Sequence, residues 1–201
     1  MTPDVNVLVA ASRSDHPHHR PALAWLEEAL DSSQKGRTLT LLPMVAAGFL
    51  RLVTHPKVFV QPTPIEAALA FLRAVINAPG VEVIPLSSEW PLFDRLCEQY
   101  QLTGNDIPDA WIAAAVQTHH FHLVSFDKGF QRFLKNSEFT LLRPKSLPHR
   151  SLLGLAFRRL VKVRESFKKA PAQGRRIIMP QSADHATTRT SACAIRRSAE
   201  S

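Results

Sequence analysis

The stretch FHLVSFD, residues 121–127, alternates Leu123, Ser125 and Asp127 against His122, Val124 and Phe126. Period-two alternation predicts a strand, and this strand ends on a carboxylate. In parallel α/β sheets, functional groups gather just outside the carboxyl ends of the strands. Asp127 therefore sits where chemistry is placed, provided that the rest of the chain builds such a sheet.

Working backwards, LTGNDIPDA (102–110) reads as a loop that leads into a helix through WIAAAVQTHH (111–120). Pro108 suits the start of that helix, which puts Asp109 in its first turn. SSEWPLFDRLCEQY (87–100) reads as a helix, with a start delayed as far as Pro91, and VEVIPL (81–86) as a brief strand. IEAALAFLRAVINA (65–78) spaces Ile65, Leu69, Leu72 and Ile76 as a helical stripe closed by Pro79-Gly80. Before the Pro-punctuated connection THPKVFVQPTP (54–64), Pro43 opens a helix through MVAAGFLRLV (44–53), and TLTLL (38–42) is a short strand. RPALAWLEEAL (20–30) aligns Leu23, Leu26 and Leu30 on a further helix. Residues 1–10 read by composition as a strand with Asp4, Asn6 and Leu8 on one face. GFQRF (129–133) closes the series as a short helix or turn. Helices alternating with short apolar strands predict an α/β domain with a mainly parallel sheet.

Composition divides the chain. Residues 1–144 hold 12 Lys and Arg against 14 Asp and Glu, whereas residues 145–201 hold 13 against 3. A near-neutral domain is followed by a strongly basic extension, and such a segment attracts nucleic acid or anionic membrane without needing a specific fold. The apolar fraction of 45% is that of a chain with a packed core. No run approaches the roughly eighteen apolar residues of a membrane span. Asp4 stands where a secretion signal carries basic residues, so a cytoplasmic protein is expected. Cys97 and Cys193 lie in segments of different character, which suits a reducing compartment and argues against a cysteine-based metal site.

Asp4, Asp109 and Asp127 come from three distant segments that the topology can bring to one sheet edge. Clustered carboxylates repel and are tolerated when they share protons or hold a cation. Magnesium takes oxygen ligands and is held by a few carboxylates while keeping much of its water. Such an ion orients water and neutralises charge developing on a phosphoryl group. Each residue also has a plainer reading: Asp109 as a favourable charge at a helix N-terminus, Asp127 as a turn residue before Lys128-Gly129, and Asp4 as a solvated strand end.

Four motifs in order tip the balance. PDVNVLVAAS (3–12), GFLRLVTHP (48–56), GNDIPDAWIAAA (104–115) and LVSFDKGFQRF (123–133) resemble the PIN-domain family. The likeness is greatest to the VapC-type toxin ribonucleases of bacterial toxin–antitoxin pairs and covers about residues 1–144. It implies a three-layer α/β/α sandwich with a small, mainly parallel sheet and an acidic pocket that binds magnesium or manganese and cleaves RNA. On that basis Asp4, Asp109 and Asp127 match the family's catalytic and metal-binding acids, and Asn6 and Ser125 its supporting polar positions. The resemblance also places a strand before and through Asp4 and starts a helix at VLVAAS, against the composition reading of that segment. A small antitoxin that blocks the pocket and a toxin homodimer are further implications.

One departure is that Gly48 stands where many family members carry a glutamate before the FLR segment. Asp106 either compensates or, more plainly, caps the following helix. The lost ligand leaves two readings open: a metal-dependent endoribonuclease working with three aspartates, or a PIN-like module that binds RNA or antitoxin without cutting. A phosphatase or receiver-like domain lacks a phosphate-handling constellation around Asp4. Arg51, one turn from Gly48, is a candidate RNA contact or an exposed arginine. His16, His18 and His19 lie in a loop-like segment ill suited to a zinc site, and His119, His120 and His122 read as structural. The extension lies outside the resemblance. Residues 145–169 form a candidate basic amphipathic helix that could grip RNA, lie on a membrane, dock on a partner or cover the domain. Residues 170–201, poor in large apolar side chains, are expected to be disordered.

Overall fold

The computed structural model describes residues 1–85 and 88–143. The helix candidate at 145–169 and the expected disordered tail at 170–201 lie outside the described residues.

The described chain is α/β throughout. β1 (Thr2–Pro3) is followed by α1 (Val5–Ser12), α2 (His19–Ser33), β2 (Leu39–Leu41), α3 (Pro43–Val53), α4 (Ile65–Ile76) and β3 (Val81–Val83). Then come α5 (Trp90–Tyr100), α6 (Asp106–Thr118), β4 (Leu123–Ser125), a 3-10 turn (Lys128–Arg132) and β5 (Phe139–Leu141). One ladder has the order β1-β4-β5, the other pairs β2 with β3, and every pairing is parallel. Thr2 and Asp4 donate backbone hydrogen bonds to His122 and Val124, while the Met1 carbonyl accepts from Thr40 on the opposite edge. β1 is thus flanked by β4 on one side and β2 on the other. The chain leaves β1 for β2 and β3 in one direction and returns to β4 and β5 in the other, so the β1/β4 boundary is a topological switch point.

Two helices form the centre of the core. In α1, Val7, Leu8, Val9, Ala10 and Ala11 are all buried, and in α6 so are Ala110 and Ile112 through Val116. A helix apolar all round belongs inside a protein rather than on its surface. Phe49 from α3 and Phe130 from the 3-10 turn are the largest side chains completely enclosed with them.

Residues 5–10 are helix, not strand. Their Val-rich composition favours β structure in isolation, but burial on every side and the Asp4 cap decide for helix, as the resemblance implies. Helix stripes also rotate from expectation. In α2 the buried line is Ala22, Leu26, Ala29 and Ser33, with Leu23 and Leu30 only half-buried, and in α4 it is Ala68, Leu72 and Val75, with Ile65 exposed. Alanine packs where helices approach closely, so the larger leucines sit at the flanks. β5 is an additional strand that no pattern in SEFTLL announced.

α6 starts at Asp106, earlier than its proline suggests, so both Asp106 and Asp109 lie in its first turn. Asp106 does not cap the helix from outside, as the plainer expectation had it. It is the first helical residue, and its carboxylate pairs with Arg132.

Candidate active site

α6 and β4 are joined by the tight turn at His119–His120, so they run in opposite directions. From Thr118 back to Asp109 the helix climbs about 14 Å at about 1.5 Å per residue. From Leu123 to Asp127 an extended chain covers about 13 Å. Asp109 and Asp127 therefore reach the same level, at the carboxyl end of β4. Asp4, directly after β1, joins them at the switch point.

Asp4 is deeply held. It caps α1 with extended backbone (φ −80°, ψ 165°), and its Oδ1 accepts from the Val5 amide at 2.6 Å. Its Oδ2 accepts from the Ser125 hydroxyl at 2.7 Å, and the residue is only 5% exposed. This overturns the solvated strand end as a reading of Asp4. Burial pushes its pKa up to about 6, Asp127 adds repulsion, and the bonds from Ser125 and Val5 oppose the rise.

Ser125 is the hub. Its hydroxyl donates to Asp4 and accepts from Asn6 Nδ2 at 2.9 Å and from the Asp127 amide at 2.8 Å. One donor and two lone pairs are all a hydroxyl has, and each is used. Asn6 closes the network by accepting from the Phe126 amide at 3.1 Å. The network fixes α1 against β4 at the point where the acidic side chains converge.

Asp127 is exposed and caps the 3-10 turn, its Oδ1 accepting from the Gly129 amide at 2.7 Å. The turn-residue reading thus describes its backbone role without removing it from the cluster. Asp109 is half-buried and makes no hydrogen bond among the described residues. Its pKa is also pushed up to about 6, first by burial, then by Asp4 and Asp127, against the pull of Arg132.

These donors are hard oxygens with too few positive neighbours, which suits a divalent cation. Among the described residues no three His, Cys, Asp or Glu side chains are drawn close enough to cage an ion by themselves. Repulsion among Asp4, Asp109 and Asp127 contributes to the raised pKa values, so the three charges lie within electrostatic reach of one another.

Gly48 faces the first turn of α1. A Cβ there would lie 2.8 Å from Val5 Cγ2, so the glycine admits the residue that follows Asp4. Arg51 is exposed on the last turn of α3, and no hydrogen bond or ion pair links it to the carboxylates. Arg132 is the cation whose field reaches Asp109. It lies within the quoted LVSFDKGFQRF, and its distance of five residues from Asp127 across a turn was the available signal.

The histidines have local roles. His16 Nδ1 accepts from the His18 amide, His19 Nδ1 meets the Ala10 carbonyl, and His18 stacks on Phe126 at 4.7 Å. His119 pairs with the buried Glu89, and His122 bridges Ser137 and Thr140, in keeping with a structural reading. His120 turns the chain at φ 55°.

Residues 1–135 match the PIN domain family model. Two relatives in Mycobacterium tuberculosis strain H37Rv, ribonucleases VapC31 and VapC25, are each 38% identical over 131 residues, spanning 65% of this chain and 90% of theirs. Ribonuclease VapC43 of the same strain is 36% identical, spanning 65% of this chain and 87% of its own. The fold matches a crystal structure of VapBC2 from Rickettsia felis bound to a promoter DNA fragment. The TM-score is 0.51 at 19% identity, covering 71% of this chain and 98% of that one. With the acidic residues at the switch point and this match over most of its length, the chain belongs to the PIN-domain family and groups with the VapC ribonucleases.

Proposed function

We propose that the protein is a metal-dependent endoribonuclease, the toxin of a type II toxin–antitoxin pair, cutting RNA phosphodiester bonds in the cytoplasm. The observation that carries this reading is the placement of Asp4, Asp109 and Asp127 at the β1/β4 switch point of a PIN-domain chain, within electrostatic reach of one another. Asp109 and Asp127, on the more open side, and Asp4, on the buried side, are the residues that would hold a magnesium or manganese ion. When bound, the ion supplies Lewis-acid stabilisation of charge on the phosphodiester and activates the attacking water.

The chain's own residues do the positioning. Ser125 and Asn6 fix the Asp4 carboxylate so that it does not swing away, and the 3-10 turn fixes Asp127. The raised pKa values of Asp4 and Asp109 put both groups near half-protonation at about pH 6, so the deprotonated set needed for a cation is complete only above that. A small antitoxin that covers the cleft and a toxin homodimer belong to the same reading, through the likeness to the VapC toxins.

The test is cleavage of a mixed RNA pool by the full chain with magnesium, manganese or chelator, beside Asp109→Ala. Metal-dependent cutting that disappears in the variant supports the enzyme. A folded wild type that cuts nothing favours the second reading, a PIN-like module that binds RNA or antitoxin without cleavage. Gly48 favours that alternative, because it offers no fourth carboxylate.

A further inference from the structure

We propose that Arg132 grips the RNA backbone beside the cleft, its guanidinium pre-positioned by Asp106 over the first turn of α6. The inference rests on the ribonuclease reading and assigns the phosphate-binding role to a residue other than Arg51.

A nuclease built on three carboxylates repels its polyanionic substrate, so a cation must stand close to the acids without neutralising them. Arg132 meets that need by its place in the chain. It ends the 3-10 turn that Asp127 caps, and its partner Asp106 lies one helical turn before Asp109. It therefore ties together the two elements that carry the outer carboxylates. Its Nη2 lies 2.8 Å from Asp106 Oδ1 and its Nη1 donates to Oδ2 at 3.3 Å. A guanidinium has five N–H groups. This fork occupies two, leaving three for a second anion.

The arginine is accessible and yet constrained, with its side chain 36% exposed and that of Asp106 44%. The Tyr100 hydroxyl donates to the Arg132 carbonyl at 2.7 Å, and the guanidinium carbon sits 4.4 Å from the centre of the Phe133 ring. A planar cation ordered in advance loses less freedom when a phosphate arrives. Its charge is also felt in the cleft, because its pull on Asp109 exceeds the push from Asp106. A simple structural strut would make the two ends of the ion pair equivalent. A substrate grip makes them opposite, since Asp106 then competes with RNA for the same cation.

That asymmetry defines the experiment. Binding of a labelled single-stranded RNA by the full chain is measured in chelator across a salt series, for wild type, Arg132→Ala, Arg132→Lys and Asp106→Asn. Melting temperatures accompany each variant. The basic extension contributes equally to all four, so differences between them report on the cleft. Arg132→Ala is expected to weaken binding about tenfold and to reduce the salt slope by about 0.7, one phosphate contact on a single strand. Arg132→Lys restores the slope but not the full affinity, and Asp106→Asn, which keeps one oxygen to hold the guanidinium but removes the competing charge, binds as tightly as wild type or more tightly.

Equal losses in Arg132→Ala and Asp106→Asn, or no change in either, would overturn the proposal and make the pair a strut. In that case RNA cleavage by wild type leaves the ribonuclease reading standing. A wild type that neither binds nor cuts RNA overturns both. If Arg132→Ala fails to fold, Arg132→Lys and Asp106→Asn still separate grip from strut by their opposite effects.

Discussion

The two sides of the acidic cleft are built by opposite means. On the inner side Asp4 is buried and both of its oxygens accept hydrogen bonds, one from the Val5 amide and one from a serine hydroxyl that has no capacity to spare. On the outer side Asp109 is half-buried without a hydrogen bond among the described residues, and Asp127 is exposed with its side chain accepting one backbone bond. Yet both Asp4 and Asp109 are pushed up to a pKa of about 6. On the inner side burial is resisted by hydrogen bonds to the charged form. On the outer side weaker burial is reinforced by repulsion from the other two acids. The inner half is a fixed anchor, and the outer half a set of mutually repelling charges.

The largest effect should come from breaking the anchor. Ser125→Ala leaves the Asn6 amide and the Asp127 N–H without their acceptor and removes the donor to Asp4. Stranded buried polar groups cost about 1–3 kcal/mol each, so the variant should lose roughly 2–4 kcal/mol in chemical denaturation. Asp127→Asn, which keeps an oxygen for the Gly129 amide, should change stability by less than about 1 kcal/mol. Equal losses from the two substitutions would show that the halves are not built differently.

Next in size is a pH effect whose sign follows from the raised pKa values. A carboxylate with a higher pKa folded than unfolded stabilises the folded state at low pH, and that contribution is lost as pH rises through the folded value. For Asp4, moving from 3.8 to about 6 corresponds to on the order of 3 kcal/mol lost between about pH 4 and pH 6. The metal-free protein should therefore lose stability across that window. Magnesium or manganese should raise the melting temperature at pH 7.5 and have little effect at pH 5, where Asp4 and Asp109 are largely protonated. Equal stabilisation at both pH values would argue against binding through these groups.

The outer half was easier to read in the sequence than the inner one. Asp127 and Asp109 follow from a clear strand and from a loop entering a helix, because period-two alternation and a proline near a helix start are local signals. The anchor is not local: Asn6 and Ser125 lie 119 residues apart, and only the family resemblance paired them. For the same reason residues 5–10 were misread by composition, since burial on every side of α1 is decided by elements far along the chain. The Arg132–Asp106 pair is likewise not local: its two residues lie 26 positions apart, and Asp106 is the first residue of α6 rather than a cap before it.

Gly48 lies on the seam between the halves, and a medium-sized effect is expected there. Glutamate at this position would restore the carboxylate that many family members carry, but its Cβ meets Val5 Cγ2 at 2.8 Å. Val5 is β-branched and stiff, so it cannot simply turn aside. Gly48→Glu should cost about 1–3 kcal/mol as overpacking and disturb the first turn of α1, where Asp4 is held. Adding Val5→Ala should recover most of that loss. A non-additive recovery in the double variant, read by denaturation, marks direct contact. Simple addition of the two losses would mean that α3 can move away from α1.

The smallest effect is expected at Arg51, and it sharpens the contrast with Arg132. Both arginines lie within family motifs, and from sequence alone Arg51 is the candidate RNA contact. Arg51 is exposed without an ion pair or hydrogen bond among the described residues, whereas Arg132 is braced by Asp106 and its field reaches Asp109. An exposed arginine that nothing braces contributes general attraction for RNA, screened over about 8 Å at physiological salt. Arg51→Ala should therefore lower kcat/KM on an RNA pool by less than about threefold at 150 mM salt, with the difference vanishing as salt increases. A loss tenfold or larger that persists at high salt would instead place Arg51 in direct contact with the substrate, on the α3 side of the cleft.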